Sequence, residues 1–304
     1  MLEAFSGTIV HITVVCALTG HGAVQCWGEN ANGQLGNDST TDSFVPVAVV
    51  GLSSGVTAIA AGWKHACAVL NNGTIKCWGH NDYGTLGDGT TTDRHVPVNV
   101  AGLGADATAG SFQTCALVSG GAVQCWGANY QGALGNNSVS ASYVPVDVIG
   151  LAISAIAVGV SYGCALTATN NVRCWGANDD GVLGDGTTTD RHVAVSVSGL
   201  TTGVAAIAGG AGFVCALTHA GAVTCWGNNL WSQLGNGEMT KSEPVPVAVV
   251  GLTSDVSAIA AGYHHSCAIV GGGEKIWCWG GNGDGSLGNN STNASMVPVE
   301  VVGF

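Results

Sequence analysis

Cysteines are the residues of this chain whose number and spacing are best suited to chemistry. The segment "CAVLNNGTIKCWG" places Cys67 and Cys77 ten positions apart, on either side of a turn-like Asn-Asn-Gly, with Trp-Gly after the second cysteine. Because the two positions are symmetric about the turn, we expect them to face each other on neighbouring strands, about 4.5–5.5 Å apart at Cα, where a disulfide can form. Five further couples follow this pattern, the last one residue wider: Cys16 with Cys26, Cys115 with Cys125, Cys164 with Cys174, Cys215 with Cys225, and Cys267 with Cys278.

Two other uses of the twelve cysteines stay open at the level of sequence. Structural zinc would need two further ligands for each couple, and no CxxC spacing supplies them. Buried reduced thiols could act as small apolar side chains. The local pairing favours disulfides, which persist in oxidising compartments. We therefore predict a protein located outside the cytoplasm, whether secreted, periplasmic or on the cell surface.

Other motifs give little support for catalysis. The segment "GDGSLG" at 283–288 matches GxGxxG, but it opens no helix and its relatives recur in every repeat, so it is interpreted as a turn. His264 and His265 are adjacent, and a strand would point their side chains apart. The "DRH" segments at 93–95 and 190–192 are interpreted as sites of ion pairs within a loop. We predict no enzyme activity, no cofactor and no metal site.

The composition favours an all-β protein. Of 304 residues, 49 are glycine and only 9% are charged, whereas the residues that build amphipathic helices are scarce. The net charge of −12 leaves no basic surface for nucleic acid, and no apolar run approaches the roughly 20 residues that a membrane span needs. Residues 1–15 lack a basic leader and are interpreted as part of the fold. We expect no nucleic-acid partner and no membrane insertion.

The first cysteines of the couples recur every 48 to 52 residues, which indicates a repeat architecture. In the second copy, strand-length runs at 56–62, 66–70, 74–79 and 96–100 are bounded by turn residues. A proline recurs in the fourth run, so this run is expected at the outer edge of its sheet. We predict one domain over 1–304 with units at 1–52, 53–103, 104–151, 152–200, 201–252 and 253–304.

The repeated unit resembles the regulator-of-chromosome-condensation repeat, whose family forms β-propellers. "CWG" starts at each second cysteine, and "LG" followed by Asp or Asn starts at Leu35, Leu86, Leu134, Leu183, Leu234 and Leu287. The resemblance covers essentially the whole chain and implies an all-β propeller of six units with four-stranded antiparallel blades. Familiar members have seven blades, so the six units either close alone or belong to a larger protein. The first unit lacks the glycine that stands five residues before the first cysteine elsewhere, so its inner strand, within "SGTIVHI", is expected to be irregular or to serve in ring closure.

Two loops of each unit should lie on one face, because strands alternate in direction: the short loop before the first cysteine and the long Gly-rich loop after "CWG". Both vary among the units and carry aromatic residues, as protein-recognition surfaces do. In β-lactamase inhibitory proteins of this propeller class, which the layout resembles, similar loops hold the partner. Packing between blades is the alternative for each ring. The predicted binding residues are Trp63, Lys64, His65, Tyr83, Phe112, Tyr130, Tyr162, Phe213, Trp231, Tyr263 and His264.

The leading functional hypothesis is a propeller scaffold that binds another protein through these aromatic loops. Glycan binding is the alternative, since aromatic platforms beside Asn and Asp also suit sugars. Guanine-nucleotide exchange, the activity of the family's nuclear founder, is disfavoured by twelve paired cysteines. The tryptophans of "CWG" recur in every unit and are predicted to be structural: Trp27, Trp78, Trp126, Trp175, Trp226 and Trp279.

Overall fold

The computed structural model describes residues 14–110, 112–118 and 120–303, and it confirms an all-β propeller fold of six antiparallel blades. The chain divides into two compact units, residues 1–152 and 153–304. Helix within the described residues is limited to two 3-10 turns, Tyr130–Gly132 and Gly271–Gly273. None of the helices found there has the length and hydropathy required to cross a bilayer.

The first unit contains blades 1 to 3. The inner strand expected for blade 1 lies outside the described residues, so blade 1 is described by three strands, in the order β1-β2-β3. Strand β7 is continuous through residue 103, where one repeat was predicted to end, and it joins blades 2 and 3 in a seven-stranded sheet. The strands are β1 Val14–Leu18, β2 Val24–Gly28, β3 Ser43–Ala48, β4 Val56–Ala61, β5 His65–Leu70, β6 Thr74–Gly79, β7 Arg94–Ala109, β8 Gln113–Val118, β9 Ala122–Gly127 and β10 Ser142–Asp147.

The second unit contains blades 4 to 6, each a four-stranded sheet whose strands follow one another in chain order. Val, Ile and Thr, which suit a pleated surface, recur in these segments, and Gly-rich or Asn-rich turns separate them. The strands are β11 Ile153–Val158, β12 Tyr162–Thr167, β13 Val172–Gly176, β14 Arg191–Ser196, β15 Val204–Gly209, β16 Phe213–Thr218, β17 Val223–Asn228, β18 Ser242–Ala248, β19 Val256–Ala261, β20 His265–Val270, β21 Lys275–Gly280 and β22 Ser295–Glu300.

All six hairpin disulfides are formed as the spacing predicts. In each hairpin the two cysteines lie directly opposite each other in the strand register, and their Cα atoms are 4.0–4.1 Å apart, somewhat closer than the expected range. Cys16 is bonded to Cys26, Cys67 to Cys77, Cys115 to Cys125, Cys164 to Cys174, Cys215 to Cys225, and Cys267 to Cys278. All twelve cysteines are paired, so the zinc and free-thiol alternatives do not apply.

Within each unit, the hydrophobic core lies between consecutive blades. In the second unit, one cluster joins Cys164 and Leu183 of blade 4 to Val214 and Trp226 of blade 5. The middle strands are therefore buried on both faces; in β16 of blade 5, every residue but the last is buried. Such strands carry continuous apolar runs because neighbouring sheets cover both of their faces.

The fourth run of each unit pairs with the third strand of its blade on the outer side, as the recurring proline predicts. Each of these strands contains an irregularity opposite the Trp-Gly segment. In blade 1, Ser43 pairs with Gly28 and Val47 with Cys26, so Pro46 lies in the bulge. A proline at a bulge of an edge strand removes no ladder hydrogen bond.

Candidate functional site

The two variable loops of a blade are joined at their bases by one backbone hydrogen bond. In blade 2, the amide of His80, just after "CWG", donates to the carbonyl of Lys64 in the short loop over 2.9 Å. Gly79 makes this approach possible: its φ is +105°, and a Cβ there would lie 2.5 Å from the same carbonyl oxygen. The bond recurs in blades 3 to 6, from Ala128 to Phe112, Ala177 to Ser161, Asn228 to Gly212 and Gly281 to His264. Within each of these blades the two loops therefore lie at the same end, as predicted.

A buried asparagine organises each long loop from within. The Oδ1 atom of Asn81 accepts the amide of Leu86 over 3.0 Å, and its Nδ2 donates to the carbonyls of Thr90 and Thr92 over 3.2 and 3.1 Å. One side chain thus holds a loop segment that extends eleven residues beyond it. Equivalent buried asparagines occupy the other blades: Asn30, Asn129, Asn178, Asn229 and Asn282.

Four of the predicted binding residues form one aromatic cluster in the first unit, called here the aromatic patch: Trp63, Tyr83, Phe112 and Tyr130. Ring centroids are 5.3 Å apart for Trp63 and Phe112, 5.9 Å for Phe112 and Tyr83, and 5.7 Å for Tyr83 and Tyr130. All three contacts are edge-to-face, the arrangement that aromatic quadrupoles favour. The four rings come from four different loops of blades 2 and 3, so the fold assembles them from distant parts of the sequence.

The aromatic patch faces solvent at both ends. Tyr130 is 57% exposed and Trp63 is 37% exposed, while Tyr83 and Phe112 between them are half-buried. Lys64 places its Nζ 5.2 Å from the Trp63 ring centroid, a cation–π contact. A hydrogen bond with Tyr83 is the main cause that raises the pKa of Tyr130 above its usual value.

Three other predicted residues form a second cluster in the second unit. Trp231, 52% exposed, lies 5.2 Å from the ring of His264, and His264 lies 4.4 Å from Tyr263. Gly281 allows this packing, because a Cβ there would come within 3.2 Å of the Cβ of His264 and 3.6 Å of that of Trp231. The second cluster joins the long loop of blade 5 to the short loop of blade 6.

The prediction that every short loop exposes its aromatic ring is wrong for Tyr162 and Phe213. Both are fully buried. The Tyr162 hydroxyl lies 2.9 and 2.7 Å from the carbonyl oxygens of Gly210 and Phe213, and burial raises its pKa. These rings start strands β12 and β16 instead of lying in the loops, and they pack between blades, which was the alternative considered for each ring. They do not belong to a binding surface.

His65 is likewise buried and is removed from the predicted binding surface. Its Nε2 lies 2.8 Å from the hydroxyl of Thr114 in blade 3, so it forms a contact between blades. Burial, with a smaller effect of the nearby His80, lowers the pKa of His65 to about 3. The side chain is therefore neutral over the physiological range.

The repeated "DRH" segments form ion pairs within their loops, with a partner earlier in each loop. Arg94 approaches Asp88 at 2.8 Å, and Arg191 approaches Asp185 at 2.8 Å. Burial alone would raise the pKa of Asp88, but hydrogen bonds from Thr90 and Arg94 hold it below its usual value. The pairs stabilise the loop conformation and leave the aromatic patch untouched.

Sequence reasoning missed a cluster of His80, Asp82 and Asp93, whose potential ligand atoms lie within 4.8 Å of one another. His80 Nε2 is 3.1 Å from an Asp82 carboxylate oxygen. Both carboxylate oxygens of Asp93 already accept hydrogen bonds, from the amide of Asn81 and the side chain of Asn32. The interaction of Asp93 with a neighbouring blade gives it a structural role.

The repeat matches a known family along most of the chain. The model of the regulator of chromosome condensation (RCC1) repeat matches residues 21–69, 72–117, 120–166, 171–217 and 220–269, and a second model of the same description matches 56–85, 153–182 and 256–286. The chain belongs to the RCC1 repeat family.

Curated relatives match in part of the chain. The ultraviolet-B receptor UVR8 of Arabidopsis thaliana is 43% identical over 91 residues, which is 30% of this chain and 21% of the receptor. The human E3 ubiquitin-protein ligase HERC2 is 39% identical over 88 residues, 29% of this chain and 2% of the ligase. The matched region thus spans about a fifth or less of these two relatives.

Solved structures match over nearly the whole chain and show the same fold. Human WBSCR16 superposes with a TM-score of 0.86 at 21% identity, over 99% of this chain and 82% of that one. Yeast RCC1 (Prp20), solved bound to Kap60, superposes with a TM-score of 0.85 at 20% identity, over 98% of this chain and 74% of that one.

Proposed function

We propose that this protein is a non-catalytic scaffold that works in an oxidising compartment outside the cytoplasm and binds a protein partner through the aromatic patch. The observation that carries the proposal is the patch itself: four rings from four loops, in mutual contact and partly exposed. Trp and Tyr are the residues most enriched where binding energy concentrates in protein interfaces.

The loops that carry the aromatic patch are held in place before any partner binds, which favours a role in protein recognition. A buried asparagine holds each long loop, and a backbone hydrogen bond joins each short loop to the long loop of the same blade. The four rings also contact one another. Side chains that are already ordered lose little conformational entropy when a partner binds, so more of the contact energy contributes to affinity. The patch also combines apolar rings with the Tyr130 hydroxyl and the Lys64 ammonium, the mixture that is typical of protein interfaces.

The six disulfides support the proposed location. Disulfides of this number persist in secreted and extracytoplasmic proteins, because cytosolic thiol systems keep cysteines reduced. The same argument disfavours the nucleotide exchange that the family's nuclear founder performs. The His65–Thr114 contact, which pairs a histidine with a hydroxyl, is buried from solvent and so does not form a nucleophile and base open to substrate.

Yeast RCC1 (Prp20) has protein partners: its structure was solved bound to Kap60, and its binding to Gsp1p and histones was characterised with a second structure. These statements concern yeast RCC1, and at 20–21% identity they do not carry residue roles across. They support the class of function proposed here, a propeller that recognises other proteins.

The test is a selection of ligands against the intact, oxidised chain, with a displayed peptide and protein-domain library and a glycan array in parallel. We expect protein ligands whose affinity falls at least tenfold in a variant that combines Trp63→Ala with Tyr130→Ala. Met239→Ala is the matched control, since Met239 is 68% exposed and lies outside the patch. Ligands that bind the patch variant as well as the wild type, or a response confined to glycans, would contradict the proposal.

A further inference from the structure

Three side chains that can bind a metal ion converge in the long loop of blade 2. They are His80, Asp82 and Asp93, and their ligand atoms all lie within 4.8 Å of one another. The closest measured pair is His80 Nε2 and an Asp82 carboxylate oxygen, which are 3.1 Å apart. Two ligands of one tetrahedral zinc ion stand about 3.3 Å apart, because zinc bonds to nitrogen and oxygen measure about 2.0–2.2 Å. Two of the three ligands are therefore already spaced for a shared ion, and the third needs to approach by about 1.5 Å at most.

The hydrogen bonds of Asp93 hold its carboxylate in place and leave it able to bind an ion. One oxygen accepts the backbone amide of Asn81 over 2.8 Å, and the other accepts the side-chain amide of Asn32 in blade 1 over 2.9 Å. An ionised carboxylate offers about four lone-pair sites, so each oxygen keeps one of them. Carboxylates that bind metal ions are commonly hydrogen-bonded in this way, because such outer contacts fix the orientation of the ligand.

The two carboxylates of this cluster are not balanced by a basic side chain. In the part of the chain that the structure describes, no Lys or Arg forms a salt bridge with Asp82 or Asp93. Arg94 follows Asp93 directly but is paired with Asp88, at 2.8 Å. Two negative charges this close repel each other unless a cation lies between them. A divalent ion would balance both carboxylates, and the His80 imidazole would supply a neutral nitrogen ligand.

Blade 4 repeats this loop without the histidine. The segment "GDGTTTDRH" occurs in both loops, and both contain the same internal ion pair. Two carboxylates occupy the same positions in blade 4, Asp179 and Asp190, but Ala177 stands where blade 2 has His80. The conformation of the loop therefore does not require a histidine. His80 distinguishes blade 2, and its imidazole is the ligand that completes a mixed nitrogen and oxygen set.

We propose that His80, Asp82 and Asp93 bind a divalent transition-metal ion of the zinc type, in contrast to the sequence prediction of no metal site. One imidazole nitrogen with two carboxylate oxygens suits zinc better than calcium or magnesium, which prefer sets of oxygen ligands. Three protein ligands leave a coordination position for water, and Asp82, 69% exposed, lies on the solvent side. The His80 ring is 6.4 Å from that of Tyr83, so a bound ion holds the segment beside the aromatic patch. The metal site stands whether or not the patch binds a protein.

The test is a calorimetric titration of zinc chloride into the intact, oxidised chain after treatment with a chelator and dialysis. Two variants each remove one ligand. His80→Ala keeps the fold, because alanine occupies the equivalent position in blades 3 and 4, and Asp82→Asn keeps the size of an exposed side chain. The matched controls are His219→Ala, at an exposed histidine outside the cluster, and Asp179→Asn, at the equivalent position in blade 4. Circular dichroism establishes that all four variants are folded.

We expect the wild type and both controls to bind one zinc ion per chain, and His80→Ala and Asp82→Asn to bind it about tenfold or more weakly. Zinc should raise the thermal unfolding midpoint of the wild type but not that of His80→Ala, because an ion that binds only the folded chain stabilises it. A wild type that binds no zinc, or a His80→Ala variant that binds it as tightly as the wild type, would overturn the inference. So would calcium binding with the same affinity, or two equivalent ions per chain, the result expected if the carboxylates of blades 2 and 4 sufficed alone.

Discussion

The buried His65 should make the protein progressively less stable in acid. Its pKa is lowered to about 3 in the folded chain, against 6.5 for an exposed histidine. Because the unfolded chain binds the proton more readily, stability is complete above pH 6.5 and is lost as the pH falls from 6.5 towards 3. At 1.36 kcal/mol per pKa unit, the loss reaches about 4 kcal/mol at pH 3 and roughly 3 kcal/mol at pH 4.5. That is a large part of the roughly 5–15 kcal/mol that stabilises a typical domain.

The assay is chemical denaturation of the oxidised chain between about pH 7.5 and 4.5, comparing the wild type with His65→Gln. Glutamine does not titrate, and its amide can still hydrogen-bond the hydroxyl of Thr114. We expect the free energy of unfolding of the wild type to fall by roughly 3 kcal/mol more than that of the variant over this range. His265, whose pKa burial also lowers, is present in both chains and cancels in the difference. Parallel pH profiles would refute the reasoning.

Three further outcomes are expected. Reduction of the disulfides should lower the denaturation midpoint sharply, since each closes a loop of about ten residues and is worth about 2.7 kcal/mol in the chain-entropy model; an unchanged midpoint after complete reduction would be contrary evidence. Asn178→Ala should cost about 2–4 kcal/mol and expose its loop to limited proteolysis, because several buried backbone groups lose their partner; uncut protein would speak against this role. Trp226→Phe should cost about 1–3 kcal/mol by leaving the Val182 carbonyl unpaired, and a change below about 0.5 kcal/mol in unfolding free energy would show the bond to be dispensable.

The regular features of this protein could be predicted because they recur. Six cysteine couples at nearly constant spacing identify the hairpins, and the sixfold "CWG" identifies tryptophans of which five are fully buried and one, Trp27, is partly buried. The proline of the fourth run identifies the edge strand, since a missing amide restricts where a strand can lie. In each case the same residue type recurs at the same place in successive units. A residue that is there by chance would not recur in this way, so the repetition identifies residues that the fold needs.

The candidate site was harder to predict. Whether an aromatic side chain of a short loop is exposed depends on its position relative to the start of the next strand, and one or two residues decide it. Trp63 lies two residues before its strand begins and reaches solvent, whereas Tyr162 and Phe213 begin their strands and are buried. Contacts between loops could not be predicted from the sequence either. Trp63 and Phe112 are 49 positions apart, and nothing in either loop predicts that their rings are in contact. The buried asparagines were visible in the repeat pattern, where an Asn stands two residues after every "CWG", but their role could only be seen once their hydrogen bonds were known.

Those asparagines have a consequence for how such a chain can diversify. Because each one fixes its long loop from inside, through main-chain atoms, the outward side chains of that loop contribute little to its conformation. Other residue types can therefore replace those at positions such as 82–83, 130 and 230–231 while the loop keeps its conformation. A library randomised at these tips, with the asparagines retained, would yield folded proteins of many specificities, much as an immune repertoire varies its contact residues on an invariant framework.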